Sequence, residues 1–504
     1  MSIIPLKIHT GLLHDENAPL LRDNLMLSVR FYSLLFSALL TFPALAAEGL
    51  APLHNLNLAA CIELALKNHA SLAVSDAMVE MAEAQYQQAM SAYWPHVTAN
   101  SQAQHLNHDV NFTMQGTTQL PTSNALNAQL SQLGQTGIAL GKALAQPIPI
   151  NMNVKLFDRD LLMSSVNLTY PIFTGGKITA LKNQAEKGKS VAQENRRKTE
   201  LEVIRDVKKY YYGVVFAQQM EQLANDTLER FKLLEELTER LFKSGSMKVK
   251  KTDYLRTKVT TSLTRSILLE AQYARDLALQ ALSNAMGLNW DNSLSINPEN
   301  QAHYLPTELA RLVETAQQFN PDLQQLKFAI EASESKITEA YSGYYPAIGF
   351  QGSAYTVQNS YQSGLTNANN RDGWTVGIGL QWNLFDGFET TNKVSYANAM
   401  KKQLLNQQIL LDQGMALQIK QQFLRLNSAD QQIKSNEEAT GFATENRILN
   451  THAYQEELVE TKDVIESQIV ETFAQSAVYR SRYELNLAIS GLEYLVGSNI
   501  PELK

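Results

Sequence analysis

Trp374 to Gly387 reads WTVGIGLQWNLFDG, and this stretch decides the fold. Trp374, Val376, Ile378, Leu380, Trp382 and Leu384 alternate with Thr375, Gly377, Gly379, Gln381 and Asn383. Strict period two marks a strand with one apolar face and one polar or small face. Phe385-Asp386-Gly387 ends it, and from there to residue 500 the chain has no proline and reads helical. A strand of about ten residues with an apolar, aromatic face suits a tilted pass through a bilayer within a barrel. The alternative is a sandwich strand with one face in a protein core; the rest of the chain favours the barrel.

Working outward, the same order of elements occurs twice. In the first half a helical segment from Leu58 to Tyr93 stops at Trp94-Pro95, since proline disfavours helix in the residue before it. Val97, Ala99, Ser101 and Ala103 then alternate with polar residues, as do Val166, Leu168, Tyr170 and Ile172. Phe173-Thr174-Gly175-Gly176 closes that second strand, and from Ile178 the chain is helical again. In the second half a helix from Thr307 to Tyr344 stops at Tyr345-Pro346, a strand follows near Ile348 to Ala354, and the opening stretch comes next.

The register supports a duplication. Leu72, Glu80, Glu83, Ala89, Tyr93 and Pro95 match Leu323, Glu331, Glu334, Ala340, Tyr344 and Pro346 at an offset of 251. Phe173 and Gly175 match Phe385 and Gly387 at 212, and Asp253 and Gly287 match Asp463 and Gly497 at 210. Pro95 to Phe173 spans 78 residues and Pro346 to Phe385 only 39, so the first half carries an insertion between its strands. That segment, 105–160, is rich in Asn, Gln and Thr and mostly aperiodic, with one short helix expected over Leu126–Ala145. It reads as a long external loop.

The chain therefore divides into a signal segment 1–46, a first repeat 47–297 and a second repeat 298–504. Strands are expected at 96–104, 161–173, 347–357 and 374–385, and long helices at 178–287 and 389–497. Ile178 to Phe242 alone spans roughly 100 Å at 1.5 Å per residue. Ile204, Val207, Tyr211 and Val214, and likewise Met415, Ile419, Phe423 and Leu426, follow coiled-coil seam spacing. Each tract breaks once, near Lys243–Ser246 and between Tyr454 and Lys462. The expected fold class is mainly α with a membrane β-barrel, each repeat a long helical hairpin hanging from a strand hairpin.

Composition bounds the function. The chain has 504 residues, 44% hydrophobic, with a net charge of −7, and this mild acidity argues against a nucleic-acid partner. Phe31–Phe42 is an apolar run after Arg30 and before Pro43-Ala44-Leu45-Ala46, the pattern of a secretory signal cleaved after Ala46. Acidic residues upstream suggest translation starting at Met26. No run of 18 apolar residues follows residue 46, which leaves a periplasmic, secreted or barrel protein. Cys61 is the only cysteine, so no intramolecular disulfide forms; it reads as a buried small apolar residue. His105, His108 and Asp109 make a poor metal cluster, and no GxSxG, HExxH, CxxC or P-loop pattern occurs. No cofactor, metal site or enzyme activity is expected.

Four strands per chain cannot close a barrel in lipid. Several copies are needed; three would supply 12 strands, although strand count alone also permits two or four. A lipid-embedded pore joined to a long helical tube is a conduit. A periplasmic coiled-coil scaffold without a pore is the competing class, and the exposed Trp/Ile/Leu face argues against it.

The segment Leu58 to His69, together with Tyr93-Trp94-Pro95, Phe173-Thr174-Gly175-Gly176, Tyr345-Pro346 and Phe385-Asp386-Gly387, resembles the TolC-like outer-membrane efflux family over about residues 56–498. The resemblance implies a homotrimer with a 12-stranded barrel and a 12-helix periplasmic tunnel. Its inner end would dock a periplasmic adaptor protein and an inner-membrane transporter, for efflux of small toxic compounds or, alternatively, type I protein secretion. The resemblance also implies a gate at the second helix break: Asp463 and Glu466 at acidic ring positions and Tyr454 at a gating tyrosine. Adaptor contacts would fall on Lys248, Lys250, Lys251, Asp253, Glu457 and Glu460. Val459 stands where the family commonly has a linking arginine, and the glycine turn expected six residues before each acidic position is replaced by Met247 and Glu457, with Gly245 two residues too early.

Overall fold

The computed structural model describes residues 53–157, 159–289, 294–298, 308–359 and 371–497. The expected signal segment 1–46 and the alternative start at Met26 lie outside the described residues. In chain order, β1 (Leu53–Leu56), α1 (Leu58–Asn68) and α2 (Ala70–Ser91) lead into β2 (His96–His105) and β3 (Val110–Thr118). Then come α3 (Asn124–Gln132), α4 (Gly134–Leu144), β4 (Ile148–Phe157), β5 (Asp160–Phe173), α5 (Lys177–Lys243) and α6 (Lys251–Ala285). After β6 (Leu294–Ile296) follow α7 (Leu309–Phe319), α8 (Pro321–Tyr341), β7 (Ala347–Asn359), β8 (Asp372–Gln381), α9 (Glu389–Gln455) and α10 (Thr461–Val496).

The protein is mainly helical. Helices α5 and α9 are each 67 residues long, about 100 Å. Each folds back, through a short tip, into a helix roughly half as long: α6 has 35 residues and α10 has 36. Helix α8 packs between α5 and α9, and α10 packs on both α9 and α5. The two halves are thereby stitched together along their length.

Two cores anchor the hairpins, and they correspond residue by residue. In the first, Cys61 and Ala65 of α1 and Leu72 of α2 meet Val203, Val207, Tyr211 and Val214 of α5 and Leu282, Ala285 and Met286 of α6. In the second, Leu312, Ala316 and Leu323 meet Met415, Ile419 and Leu426 of α9 and Leu492, Leu495 and Val496 of α10. Cys61 is fully buried at the position Leu312 fills in the other repeat. Each fully buried aliphatic side chain stabilises by about 1.5–3 kcal/mol, so these seams hold the hairpins closed.

Both short helical segments are broken where the sequence predicts one continuous helix. His69 and Asn320 leave helical geometry, with ψ of 119° and 124°. Their side chains cap the next helix: His69 Nδ1 accepts from the Ser71 N–H at 3.3 Å, and Asn320 Oδ1 from the Asp322 N–H at 2.9 Å. The break is imposed by packing. Gly287 and Gly497, at φ of 70° and 78°, approach so closely that a Cβ would lie 2.6 Å from the Asn68 carbonyl and 2.3 Å from that of Phe319.

The strands form an antiparallel sheet in the order β2-β5-β7-β8. One face carries Val97, Leu168, Gly352 and Val376 in one row and Ala99, Val166, Ala354 and Trp374 in the next. Tyr170, Phe350 and Ile378 form a third row. Among the described residues the edges β2 and β8 have no partner strand. Strand β8 stops at Gln381, earlier than the alternation to Leu384 suggests, because Trp382 turns away and its Nε1–H donates to the Tyr344 carbonyl at 3.1 Å.

The insertion corrects the expectation of an aperiodic loop over 105–160. It is an antiparallel ribbon, β3 with β4, that prolongs the β2–β5 hairpin and carries α3 and α4 at its far end. The single helix expected over Leu126–Ala145 is split by Gly134 at φ 69°. Polar composition masked the alternation of Val110, Phe112 and Met114 with Asn111 and Thr113. Pro149 is tolerated because β4 pairs on one side only.

Candidate functional site

Two regions can act: the exposed sheet face and the helical tips. On the sheet, Trp374, Val376, Ile378 and Leu380 of β8 are all strongly exposed, Trp374 at 74%. Trp382 and Leu384 continue this exposed apolar surface beyond the strand. The opposite face is uncharged along β2 and β8, carrying Thr98, Asn100, Gln102, Gln104, Thr375 and Gln381. Ten residues at about 3.3 Å each, tilted by about 40°, rise about 25 Å, the height of a barrel's apolar band. No helix of the described residues is long and apolar enough to cross a membrane.

Strands β5 and β8 lead into helices α5 and α9 through left-handed turns. Gly175 and Gly176 have φ of 63° and 85°; Gly387 and Phe388 have 65° and 67°. Phe173 and Phe385 precede them, both exposed. In the second turn Asp386 caps α9: its Oδ2 accepts from the Thr390 N–H at 2.9 Å and the Thr390 hydroxyl at 2.6 Å. The two turns differ in surroundings. A Cβ on Gly175 would lie 2.8 Å from the Ser342 carbonyl oxygen and from the Tyr345 Cβ, whereas one on Gly387 would meet nothing within 4 Å.

At the far end of the long helices the two tips share a design. Ser246 N–H donates to the Leu241 carbonyl at 3.1 Å and Leu458 N–H to that of Ala453 at 2.8 Å, closing α5 and α9 with matching bonds. Gly245 takes the left-handed position at φ 81°, and Glu457 takes it at 56°. The turn that looked absent from the sequence is therefore present in both halves, Glu457 adopting it without glycine. From that turn to the next helix the first tip is two residues longer, which is why Gly245 falls early.

Asp253 and Asp463 occupy equivalent sites. Asp253 Oδ2 accepts from the Lys250 N–H and Asp463 Oδ2 from the Glu460 N–H, both at 3.0 Å, each carboxylate sitting at the third position of the helix it caps. Asp463 caps the start of α10 through Oδ2, and Glu466, one turn on, is exposed. Tyr454 is buried, its hydroxyl 3.0 Å from both Thr238 Oγ1 and Thr461 Oγ1. It packs with Phe231, Leu234, Val464 and Ile465, and Val459 lies against the same cluster. Val459 therefore contributes packing where an arginine would have linked by charge.

The tips touch. Lys248 Nζ donates to the Glu457 carbonyl and Ser246 Oγ to Glu457 Oε2 at 3.4 Å. Lys250, Lys251 and Glu460 are exposed, and Met247 and Leu458 stand out as apolar apices. Beside them, the Lys243 ammonium and the Tyr254 hydroxyl hold the Glu239 carboxyl below the usual carboxylate range.

Sequence reading missed a half-buried charged contact beyond the tips. The Glu471 carboxylate of α10 lies 2.7 Å from Arg447 Nε of α9 and 3.1 Å from Arg230 Nη1 of α5. Its side chain is 9% exposed. Arg230 Nη1 donates to Glu471 Oε2, whereas the Arg447 Nε–H is not aligned for a hydrogen bond and is held by charge alone, so one carboxylate clasps three helices. Its partners lie more than 200 residues apart in the case of Arg230, beyond any local pattern. His105 and Asp109, grouped by sequence, take separate partners: His105 Nδ1 lies 2.6 Å from Asp160 Oδ1, and Asp109 Oδ1 accepts from the Arg159 N–H at 3.0 Å.

Similar folds are known. A membrane protein from Pseudomonas aeruginosa superposes with a TM-score of 0.69 at 16% identity, over 90% of this chain and 92% of that one. The outer membrane protein VceC of Vibrio cholerae gives 0.68 at 16%, over 88% and 96%. The Campylobacter jejuni CmeC outer membrane channel gives 0.69 at 14%, over 92% of each. No curated protein matches by sequence. The profile of outer membrane efflux proteins matches residues 61–288 and 312–497, one block in each repeat. The chain belongs to the outer membrane efflux protein family.

Proposed function

We propose that three copies of this chain form an exit duct that carries small toxic compounds across the outer membrane. The observation that carries this reading is a four-stranded sheet with an exposed apolar face and two unpartnered edges, continuous with helices of about 100 Å. Lipid tolerates no open edge, so copies must join β8 to β2. The turn at Gly387 supports the same assembly. Its counterpart Gly175 is filled by Ser342 and Tyr345 of the other repeat. The residues equivalent to those two are Ser91 and Trp94, and a neighbouring copy would bring them to Gly387. Along α6, Leu255, Val259, Leu263 and Ile267 recur every four residues and are exposed, a seam ready for the next copy's α9.

The 12-helix tunnel would reach through the periplasm to an adaptor protein and an inner-membrane transporter. Its tips, with basic Lys248, Lys250 and Lys251 beside acidic Glu457 and Glu460, are the adaptor's contact. Asp463 and Glu466 of three copies would ring the opening with six carboxylates and favour cations. Tyr454 holds that end narrow through Thr238 and Thr461.

The test is efflux of a preloaded fluorescent dye from cells lacking other outer-membrane ducts. Several-fold faster clearance with the gene present is expected. Unchanged clearance with altered secreted proteins would replace this reading with a polypeptide duct, and absence of a heat-resistant trimer would favour a scaffold without a pore.

A further inference from the structure

We propose that the ribbon β3–β4 of each copy is covered by the ribbons of its neighbours, forming a collar over the duct's outer mouth. Val110, Phe112 and Met114 of β3 and Ile148, Ile150 and Met152 of β4 share one face of the ribbon, and all six are exposed in the single chain. The other face carries Asn111, Thr113, Gln115, Asn151 and Asn153. An isolated two-stranded ribbon is marginal in water, and one with an open apolar face needs a cover.

Composition says what kind of cover. From residue 110 to 157 the only charged residues are Lys142 and Lys155, whereas 18% of the whole chain is charged. Depletion of charge around an exposed row of Val, Ile, Met and Phe is a feature of the core of a protein–protein interface rather than of a solvated loop. With no acidic side chain in the segment, a basic or acidic partner finds nothing to pair with beyond two lysines. Identical ribbons suit one another.

Lipid is excluded as the cover by what lies between sheet and ribbon. Above the apolar rows of the sheet comes a polar row, Ser101, Ser164, Thr356 and Asp372, with the two serine hydroxyls 2.9 Å apart. After a row of Ala103, Leu162 and Gln358 comes the His105–Asp160 pair, then the Asp109–Arg159 contact. Charged and hydroxyl groups in this order mark the edge of the bilayer, and the ribbon rises beyond it. Because it continues β2 and β5, any assembly that closes the sheet gathers the ribbons around one axis.

The collar rests on the trimer reading, and one experiment separates the two. Phe112→Cys and Met152→Cys are made singly, with Thr113→Cys and Asn151→Cys as opposite-face controls; Cys61 is fully buried and leaves the new thiol as the reactive one. Purified oligomers are treated with a short bismaleimide, and intact cells with a membrane-impermeant maleimide. The expected result is inter-copy crosslinking at Phe112→Cys and Met152→Cys several-fold above both controls, with several-fold slower maleimide labelling. An intact heat-resistant oligomer with equal labelling on both faces and no crosslinks overturns the collar alone. Protection without crosslinks also overturns it, assigning the face to lipid or another protein. Loss of the oligomer overturns the trimer and the collar together.

Discussion

In the first repeat Val207, Tyr211, Val214 and Leu282 close around Cys61; in the second Ile419, Leu426 and Leu492 close around Leu312. The cores match position by position although the residues differ. Away from the core the match is partial: Asp253 and Asp463 still correspond, but Gly245 faces Glu457, Lys250 faces Glu460, Gly176 faces Phe388, and Thr261 stands where the second repeat has Glu471. Packing constrains volume and tolerates exchange among apolar types, so duplicated cores stay equivalent. Tips and helix flanks meet different neighbours, so each repeat has specialised there. The second repeat supplies the clasp's carboxylate, the buried tyrosine at the tip and the strained turn.

The largest break in that comparison is expected at the clasp. Glu471→Ala leaves two largely buried guanidinium groups without their carboxylate and should cost about 3–5 kcal/mol. Thr261→Ala removes a neutral hydroxyl that donates to the Thr257 carbonyl of its own helix at 3.0 Å and, at 3.4 Å, to the Phe231 carbonyl of α5, and should cost only about 1 kcal/mol. Denaturant unfolding of the purified oligomer measures both. Equal shifts would mean that the clasp contributes nothing beyond an ordinary polar contact.

The caps should break both repeats alike. Gly287→Ala and Gly497→Ala each force a Cβ into a carbonyl at positive φ, at a cost of about 2–3 kcal/mol apiece. The closer approach, 2.3 Å against 2.6 Å, puts Gly497 first. Arg197 strengthens that ranking, since its guanidinium donates to the Phe319 carbonyl at 2.7 Å and the Gly497 carbonyl at 3.1 Å. A harmless Gly497→Ala, read by unfolding midpoint, would remove the idea that this contact sets the break between α7 and α8.

How much of this is legible in the sequence follows from range. The strand at Trp374, the turns at Gly175 and Gly387 and the helical seams are local patterns, and the duplication exposes each twice. The breaks at His69 and Asn320 are not local, because their cause is a glycine 218 residues on in one case and 177 in the other. The Glu471 clasp joins three helices and leaves no spacing to read. At the tips the sequence marks Asp463 through the duplication, and the geometry adds a capping bond that its twin Asp253 also makes. The ribbon was hidden by its own polar face, whose Asn, Gln and Thr outweigh the alternating apolar positions.

The smallest effect sharpens the comparison most. Glu457 sits at φ 56° where the first repeat uses glycine, and a non-glycine residue there costs about 1–2 kcal/mol. Its side chain offsets little of that, accepting one long bond from Ser246 at 3.4 Å, and the bond from Lys248 goes to its carbonyl, which any residue keeps. Glu457→Gly should therefore stabilise the protein by about 0.5–1 kcal/mol, seen as a higher unfolding midpoint. Gly245→Ala, the mirror change, should destabilise by a similar amount. If the Glu457→Gly protein is more stable yet clears dye more slowly, the strain is retained because the carboxylate meets a partner at the tip. If clearance is unchanged while stability rises, the Glu457 carboxylate is ordinary solvated charge, and the adaptor contact proposed at the tips does not involve it.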